Sequence, residues 1–181
     1  MVDAALALGH EAAAVLDGGW EAWVKAGLPV TAQLPQVNPK EFVARRRLEL
    51  ALDAASVTAS LGNARPLLLD ARSPDRFRGE NETLDPVAGH IPGAANRFFK
   101  LNLRADGRFK PPAELKREFT AALGPVPPVE VIHYCGSGVT ACHNLLAMEI
   151  AGLAGSRLYP GSWSEWCSDP KRPVVTSTSR D

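Results

Sequence analysis

Apolar positions along this chain change period in a way that separates strands from helices. Val129, Val131, Ile132 and Tyr134 make a β-branched and aromatic run of strand length. Beyond it, Leu145, Leu146, Met148 and Ile150 fall at helical spacings, and Gly152 stands where a helix-ending glycine would. Between the two lies Cys135-Gly136-Ser137-Gly138. The pattern predicts strand, tight turn and helix, with a thiol on the first residue past the strand. Leu67-Leu68-Leu69 is a second apolar run, continuous rather than alternating, as in a strand covered on both faces of a parallel sheet. Asp70 closes it. A short helix is predicted over 57–61, ended by Gly62, and an amphipathic one over 111–123, stopped by Gly124. Residues 89–96 (GHIPGAAN) form a fixed turn leading into a short strand, and 157–159 give a last one. Ser162 and Glu165 read as a capping box for a final helix through Trp166, and Asn38-Pro39-Lys40-Glu41 as another helix start.

The opening residues carry an internal repeat. VLDGGWEAWVKAGLPV, from Val15, loosely repeats RLYPGSWSEWCSDPKRPVV, from Arg157. Trp20 pairs with Trp163, Trp23 with Trp166 and Gly9 with Gly152, all at one offset. A repeat this long implies duplicated domains rather than a solenoid. The expected organisation is therefore the closing strand (13–16) and helix of a first domain in residues 1–32, a proline-bearing linker over 33–40, a complete domain over 41–176 and a short tail over 177–181.

Composition narrows the classes. Lys plus Arg and Asp plus Glu number 20 each, so no net field favours nucleic acid or a membrane surface. Three cysteines are too few for a disulfide framework, and a reduced, cytoplasmic setting is expected. No apolar run reaches membrane-spanning length. The basic run Arg45-Arg46-Arg47 reads as a solvated face.

Candidate chemistry centres on Cys135. A helix start leaves backbone N–H groups without intrahelical partners and favours negative charge. Glycines let neighbouring N–H groups converge into an anion-binding nest. A cysteine placed there is expected to act as a thiolate, and the same cradle suits an anionic adduct on its sulfur. Arg72, Arg76 and Arg78 follow the strand ending at Asp70, and a planar guanidinium suits carboxylates and sulfur oxyanions. Arg72 and Arg76 would share one face if the stretch is helical. Asp70 reads as a structural carboxylate, and ion pairs are the expected role of Arg72 and Arg78.

The loop CGSGVTA, together with LLLDAR, RFRG, GHIPGAAN and RLYPGSWSEW in the same order, resembles the rhodanese-type sulfurtransferases, and the loop itself resembles that of mercaptopyruvate sulfurtransferases. The resemblance covers roughly residue 38 to the C-terminus. It implies an α/β, three-layer rhodanese-like domain with a mostly parallel five-stranded sheet and helices on both faces. It implies sulfur transfer through a Cys135 persulfide, with Arg76, Gly136, Ser137, Gly138, Val139 and Thr140 binding the donor. No cofactor and no metal are expected. The implied partners are a small anionic sulfur donor, such as 3-mercaptopyruvate or thiosulfate, and cyanide or a thiol as acceptor. A missing first domain, or self-association through residues 1–32, completes them. His90 is expected to anchor the GHIPG turn. Gly136 and Ser137 stand where thiosulfate-preferring relatives carry a basic pair, whereas Thr83 stands where mercaptopyruvate enzymes carry a second arginine, which leaves the donor open.

Two rival chemistries fit less well. A cysteine phosphatase needs an arginine closing the loop, and here Ala141 and Cys142 stand at that point. Cys135, Cys142, His143 and Cys167 match none of the compact ligand spacings of zinc sites. A rhodanese-like domain without catalysis, serving as a sulfur carrier or interaction module, is the remaining alternative.

Overall fold

The computed structural model describes residues 12–45 and 48–176. Two strands, β1 (Leu67–Asp70) and β3 (Val131–Tyr134), form the centre of a sheet ordered β2-β1-β3-β4, with β2 at Ala95–Asn96 and β4 at Arg157–Leu158. Every pairing is parallel, and Leu69 stands opposite both Ala95 and His133. All four residues of β3 are buried, and so are Leu68, Leu69 and Asp70 of β1. That explains why both read as continuous apolar runs rather than alternating ones.

Successive side chains leave opposite faces of a strand, and here they feed two cores. Leu68, Ile132 and Tyr134 pack with Ala54 and Val57 of α2 (Ala54–Ser60) and with Trp163 and Trp166 of α6 (Ser162–Trp166). Leu69 and Val131 pack on the other side with Leu115, Phe119 and Leu123 of α4 (Pro112–Leu123), and with Ala147 and Met148 of α5 (Val139–Ile150). The three-layer α/β architecture follows. The other α-helices among the described residues are α1 (Gly19–Lys25) and the short α3 (Pro74–Arg78).

Several sequence expectations change. The sheet has four strands, not five, among the described residues. At the fifth position Ala51 makes one parallel bridge to Leu158, and the Leu52 N–H donates to the Leu158 carbonyl at 2.8 Å. The chain then turns at once into Asp53, whose carboxylate accepts the Ser56 N–H at 2.8 Å and caps α2, so no length is left for a strand. The helix start at Asn38 and Glu41 is absent: residues 38–45 are not helical, and Phe42 and Val43 are exposed. A short helix without a buried face does not sustain itself. Residues 13–16 form no strand, and Val15 and Leu16 are about half exposed. Arg46, Arg47, Gly9 and the tail 177–181 lie outside the described residues.

Candidate active site

Three segments meet at the carboxyl ends of β1 and β3, where parallel sheets place ligands. The first runs from Cys135 into α5. Cys135 is 2% exposed and lies with Ala71 and Ala141, against Phe99 and Leu158. Its N–H donates to Ser162 Oγ at 3.1 Å, and its carbonyl accepts the Trp163 N–H at 2.9 Å. Gly138, at φ 83°, precedes α5 in the left-handed region, and a Cβ there would lie 2.6 Å from the Pro160 carbonyl oxygen. Only glycine fits that turn. Gly136 takes no left-handed conformation; its special feature is proximity, since a Cβ there would stand 3.6 Å from Arg76 Nη1.

Among the described residues, the backbone N–H groups from Gly136 to Thr140 donate to no protein acceptor. Those of Val139 and Thr140 are unpaired donors of a helix start, and Gly136, Ser137 and Gly138 lead into it. Ser137 and Val139 are exposed, Val139 at 73%.

The second segment is α3. Ser73 precedes it, so Arg72 stands outside the helix and does not share a helical face with Arg76. Arg72 is buried, pairing with both Asp70 oxygens, donating to the Gly89 carbonyl at 2.7 Å and lying over the Trp163 ring. Asp70 also accepts the Arg72 N–H at 2.8 Å. Arg78 pairs with Glu80 on the surface. Arg76 behaves differently. Its Nε and Nη2 grip Glu82 at 3.0 and 2.7 Å, Nη2 also meets Asp85 at 3.1 Å, and Nη1 finds no acceptor among the described residues. That open edge faces Gly136.

The third segment is the loop over residues 80–88, whose acids were not singled out from the sequence. Glu82 and Asp85 side chains are only 2% and 7% exposed. The Leu84 and Asp85 N–H groups fold back onto Glu82 Oε1. Burial alone would raise the Glu82 pKa, but hydrogen bonds from Arg76 and these amides outweigh it and hold the carboxyl below its ordinary range. Asp85 continues to Ser164, whose hydroxyl lies 2.6 Å from Asp85 Oδ1 and 2.9 Å from the Gly136 carbonyl; the Ser164 N–H donates to the same carbonyl at 2.9 Å.

Ser162 and Ser164 therefore hold the cysteine loop, and the capping-box reading of Ser162 and Glu165 fails. Ser162 is the first residue of α6, at φ 54°, and its hydroxyl donates to the Tyr159 carbonyl while accepting from Cys135. A usable signal was present in the sequence: two hydroxyls flanking Trp163 just past Gly161, and three acids, Glu80, Glu82 and Asp85, just past RFRG. His90 anchors its turn, donating from Nδ1 to the Phe77 carbonyl at 2.7 Å and stacking on that ring. Among the described residues no group of three or more His, Cys, Asp or Glu side chains could hold a metal ion. No helix there is long and apolar enough to cross a membrane.

A rhodanese-like domain profile matches residues 53–169. The chain is 52% identical to the "Probable 3-mercaptopyruvate sulfurtransferase" of Pseudomonas aeruginosa, over 90% of this chain and 57% of that protein. It is 35% identical to mouse 3-mercaptopyruvate sulfurtransferase, over 96% and 59% of the two chains. Against bovine thiosulfate sulfurtransferase the identity is 36%, over 87% and 54%. The chain thus spans a little over half the length of these relatives. Its fold superposes on the anaerobic ergothioneine biosynthesis enzyme of Chlorobium limicola with a TM-score of 0.83 at 24% identity, covering 96% of this chain and 44% of that one. By profile, by relatives and by fold, this chain belongs to the rhodanese-like domain family.

Proposed function

We propose that the chain is the catalytic portion of a sulfurtransferase, with Cys135 as nucleophile and Arg76 and the Gly136–Thr140 amides as the donor site. One observation carries the reading: directly after Cys135, the N–H groups from Gly136 to Thr140 have no protein acceptor among the described residues, and Arg76 Nη1, also without one, lies 3.6 Å from where a Cβ on Gly136 would stand. A thiol at that junction is served by donors for an anionic group on either side.

The Cys135 thiolate attacks the outer sulfur of the donor. With thiosulfate the S–S bond breaks, sulfite leaves with the electron pair, and Cys135 becomes a persulfide anion. With 3-mercaptopyruvate the C–S bond breaks, the electron pair passes to the enolate of pyruvate, and the thiol proton ends on its carbon. Cyanide then takes the outer sulfur as thiocyanate and returns the thiolate. Arg76 holds the donor's anionic end, and the loop amides hold the persulfide charge. The identity to mercaptopyruvate sulfurtransferases and the uncharged Gly136-Ser137 pair favour 3-mercaptopyruvate, with Thr83 in place of a second arginine keeping thiosulfate as the second reading.

The same proposal takes residues 1–32 as the closing part of a preceding rhodanese-like unit, 33–40 as linker and 41–176 as the catalytic unit. The repeat supports it in detail. Gly19 at φ 61° and Ser162 at φ 54° each begin a helix. The Trp23 and Trp166 indoles donate to the Pro29 and Pro173 carbonyls, both at 2.9 Å. Trp163 is fully buried while its counterpart Trp20 is 65% exposed, as a helix parted from its own core would be. A longer chain with that unit complete should turn over donors faster than this one.

Intact mass after exposure to either donor tests the chemistry. One added sulfur atom, removed by cyanide and absent in Cys135→Ser, is expected. Sulfur retained by Cys135→Ser, or none gained by the parent chain, would end the reading.

A further inference from the structure

Arg76 is matched by more negative charge than it needs. Glu82 already forms a two-pronged pair with its Nε and Nη2, which neutralises the guanidinium. The neighbouring Arg72 is likewise matched by Asp70. Asp85 is then a third carboxylate against two guanidinium groups, with its side chain 7% exposed, and acids are rarely buried without a dedicated partner. It does not stand idle. One oxygen lies 3.1 Å from Arg76 Nη2 and the other 2.6 Å from Ser164 Oγ, which itself touches the Gly136 carbonyl at 2.9 Å. Asp85 therefore links the proposed donor-binding arginine, directly, to the cysteine loop, through Ser164.

We infer that Asp85 is a specificity-determining residue of the donor site, whose charge disfavours a dianionic sulfur donor relative to a monoanionic one. The inference rests on the donor site proposed above and deepens it. A donor held at Arg76 Nη1 and the loop amides stands within a few ångströms of this carboxylate. Each extra negative charge on the donor is then repelled by Asp85. At roughly 6 Å and an effective dielectric of about 20 to 80, one additional unit of charge changes relative affinity by about three-fold to a hundred-fold. Thiosulfate carries one charge more than 3-mercaptopyruvate, so the effect appears as a preference between those two. The Ser164 hydroxyl has one proton for two acceptors, Asp85 and Gly136. Asparagine at position 85 can donate to that hydroxyl, whose proton then turns to Gly136. The loop tether survives while the charge is lost.

The test uses the full chain. Rate constants for sulfur loading by thiosulfate and by 3-mercaptopyruvate are measured by rapid quench and intact mass for the parent chain, Asp85→Asn, Asp85→Glu and Ser164→Ala. Asp85→Asn should raise the thiosulfate-to-mercaptopyruvate ratio about ten-fold. Asp85→Glu, which keeps the charge, should hold the parent ratio, and Ser164→Ala should slow both donors alike. A ratio within two-fold of parent in Asp85→Asn, or an equal shift in Asp85→Glu, would overturn the inference while leaving the persulfide chemistry standing. Should Asp85→Asn fail to fold by circular dichroism, Asp85→Ser takes its place, with the same ten-fold rise expected and the same two-fold limit overturning the inference. A parent chain that gains no sulfur from either donor overturns the proposed function and this inference together.

Discussion

Gly138 and Gly136 stand two residues apart, and the structure gives them opposite tasks. At Gly138 the backbone is left-handed at φ 83°, and an added methyl would meet the Pro160 carbonyl oxygen at 2.6 Å, with two further Pro160 atoms at 3.3 Å. A non-glycine residue in that conformation costs about 1–2 kcal/mol. The contact is with backbone, so the Cys135 loop or the Pro160 turn must move, adding roughly 1–3 kcal/mol as for other overpacked sites. Gly138→Ala should therefore destabilise the chain by about 3 kcal/mol. For a chain of this size that lowers the melting midpoint by roughly 6–12 °C. At Gly136 no left-handed conformation is required, and the methyl meets Arg76 Nη1 and Nη2 at the ordinary distances of 3.6 and 3.7 Å. Gly136→Ala should melt within about 2 °C of the parent. It should nevertheless load sulfur about ten-fold more slowly, because the methyl occupies the space between the guanidinium and the loop. Thermal melts by circular dichroism and single-turnover loading on the same samples separate the two effects. A Gly138→Ala chain melting with the parent, or a Gly136→Ala chain loading sulfur at the parent rate, would refute these roles for the two glycines.

Other outcomes follow from the same geometry. Glu82→Gln removes the acid that grips Arg76 and touches Arg72, and should cost about 3 kcal/mol by urea titration. The Glu82 pKa is lowered in the folded chain, so its stabilisation is present above the ordinary carboxylate range and is lost as pH falls through the folded value; Glu82→Gln should flatten that acid limb. Burial, with Arg97 nearby, lowers the His133 pKa from 6.5 to about 3, so the unfolded chain binds a proton that the folded one refuses. Stability should fall as pH drops from about 6.5 toward 3, and His133→Leu should remove that part of the slope in melts across the range. His90→Ala should lower the melting midpoint through its lost bond to Phe77 yet still yield a Cys135 persulfide by mass, as a turn anchor rather than a reacting group.

Residues 129–152 were legible because their signals are local: a β-branched run, glycines with required geometry and a helical period lie side by side in the chain. The strand at Leu67–Asp70, the turn after Gly89 and the helix ending at Gly124 were legible for the same reason. The sequence alone thus determined these strands, turns and helices and the place of the thiol, while the three-layer order came from the resemblance to rhodanese-type sulfurtransferases. Tertiary structure decided who surrounds it. Ser162 and Ser164 bond to the Cys135 loop from 27 and 28 positions away, Glu82 and Asp85 join only through Arg76 and Ser164, and no local period reports which hydroxyl or carboxylate will meet which partner. The same limit explains the misread elements. A helix starting at Asn38 and a strand at 13–16 depend on a surface to bury against, and the described structure leaves Val43 72% exposed and Val15 and Leu16 about half exposed. Propensity proposes an element, but burial of its apolar face against distant residues decides whether it forms.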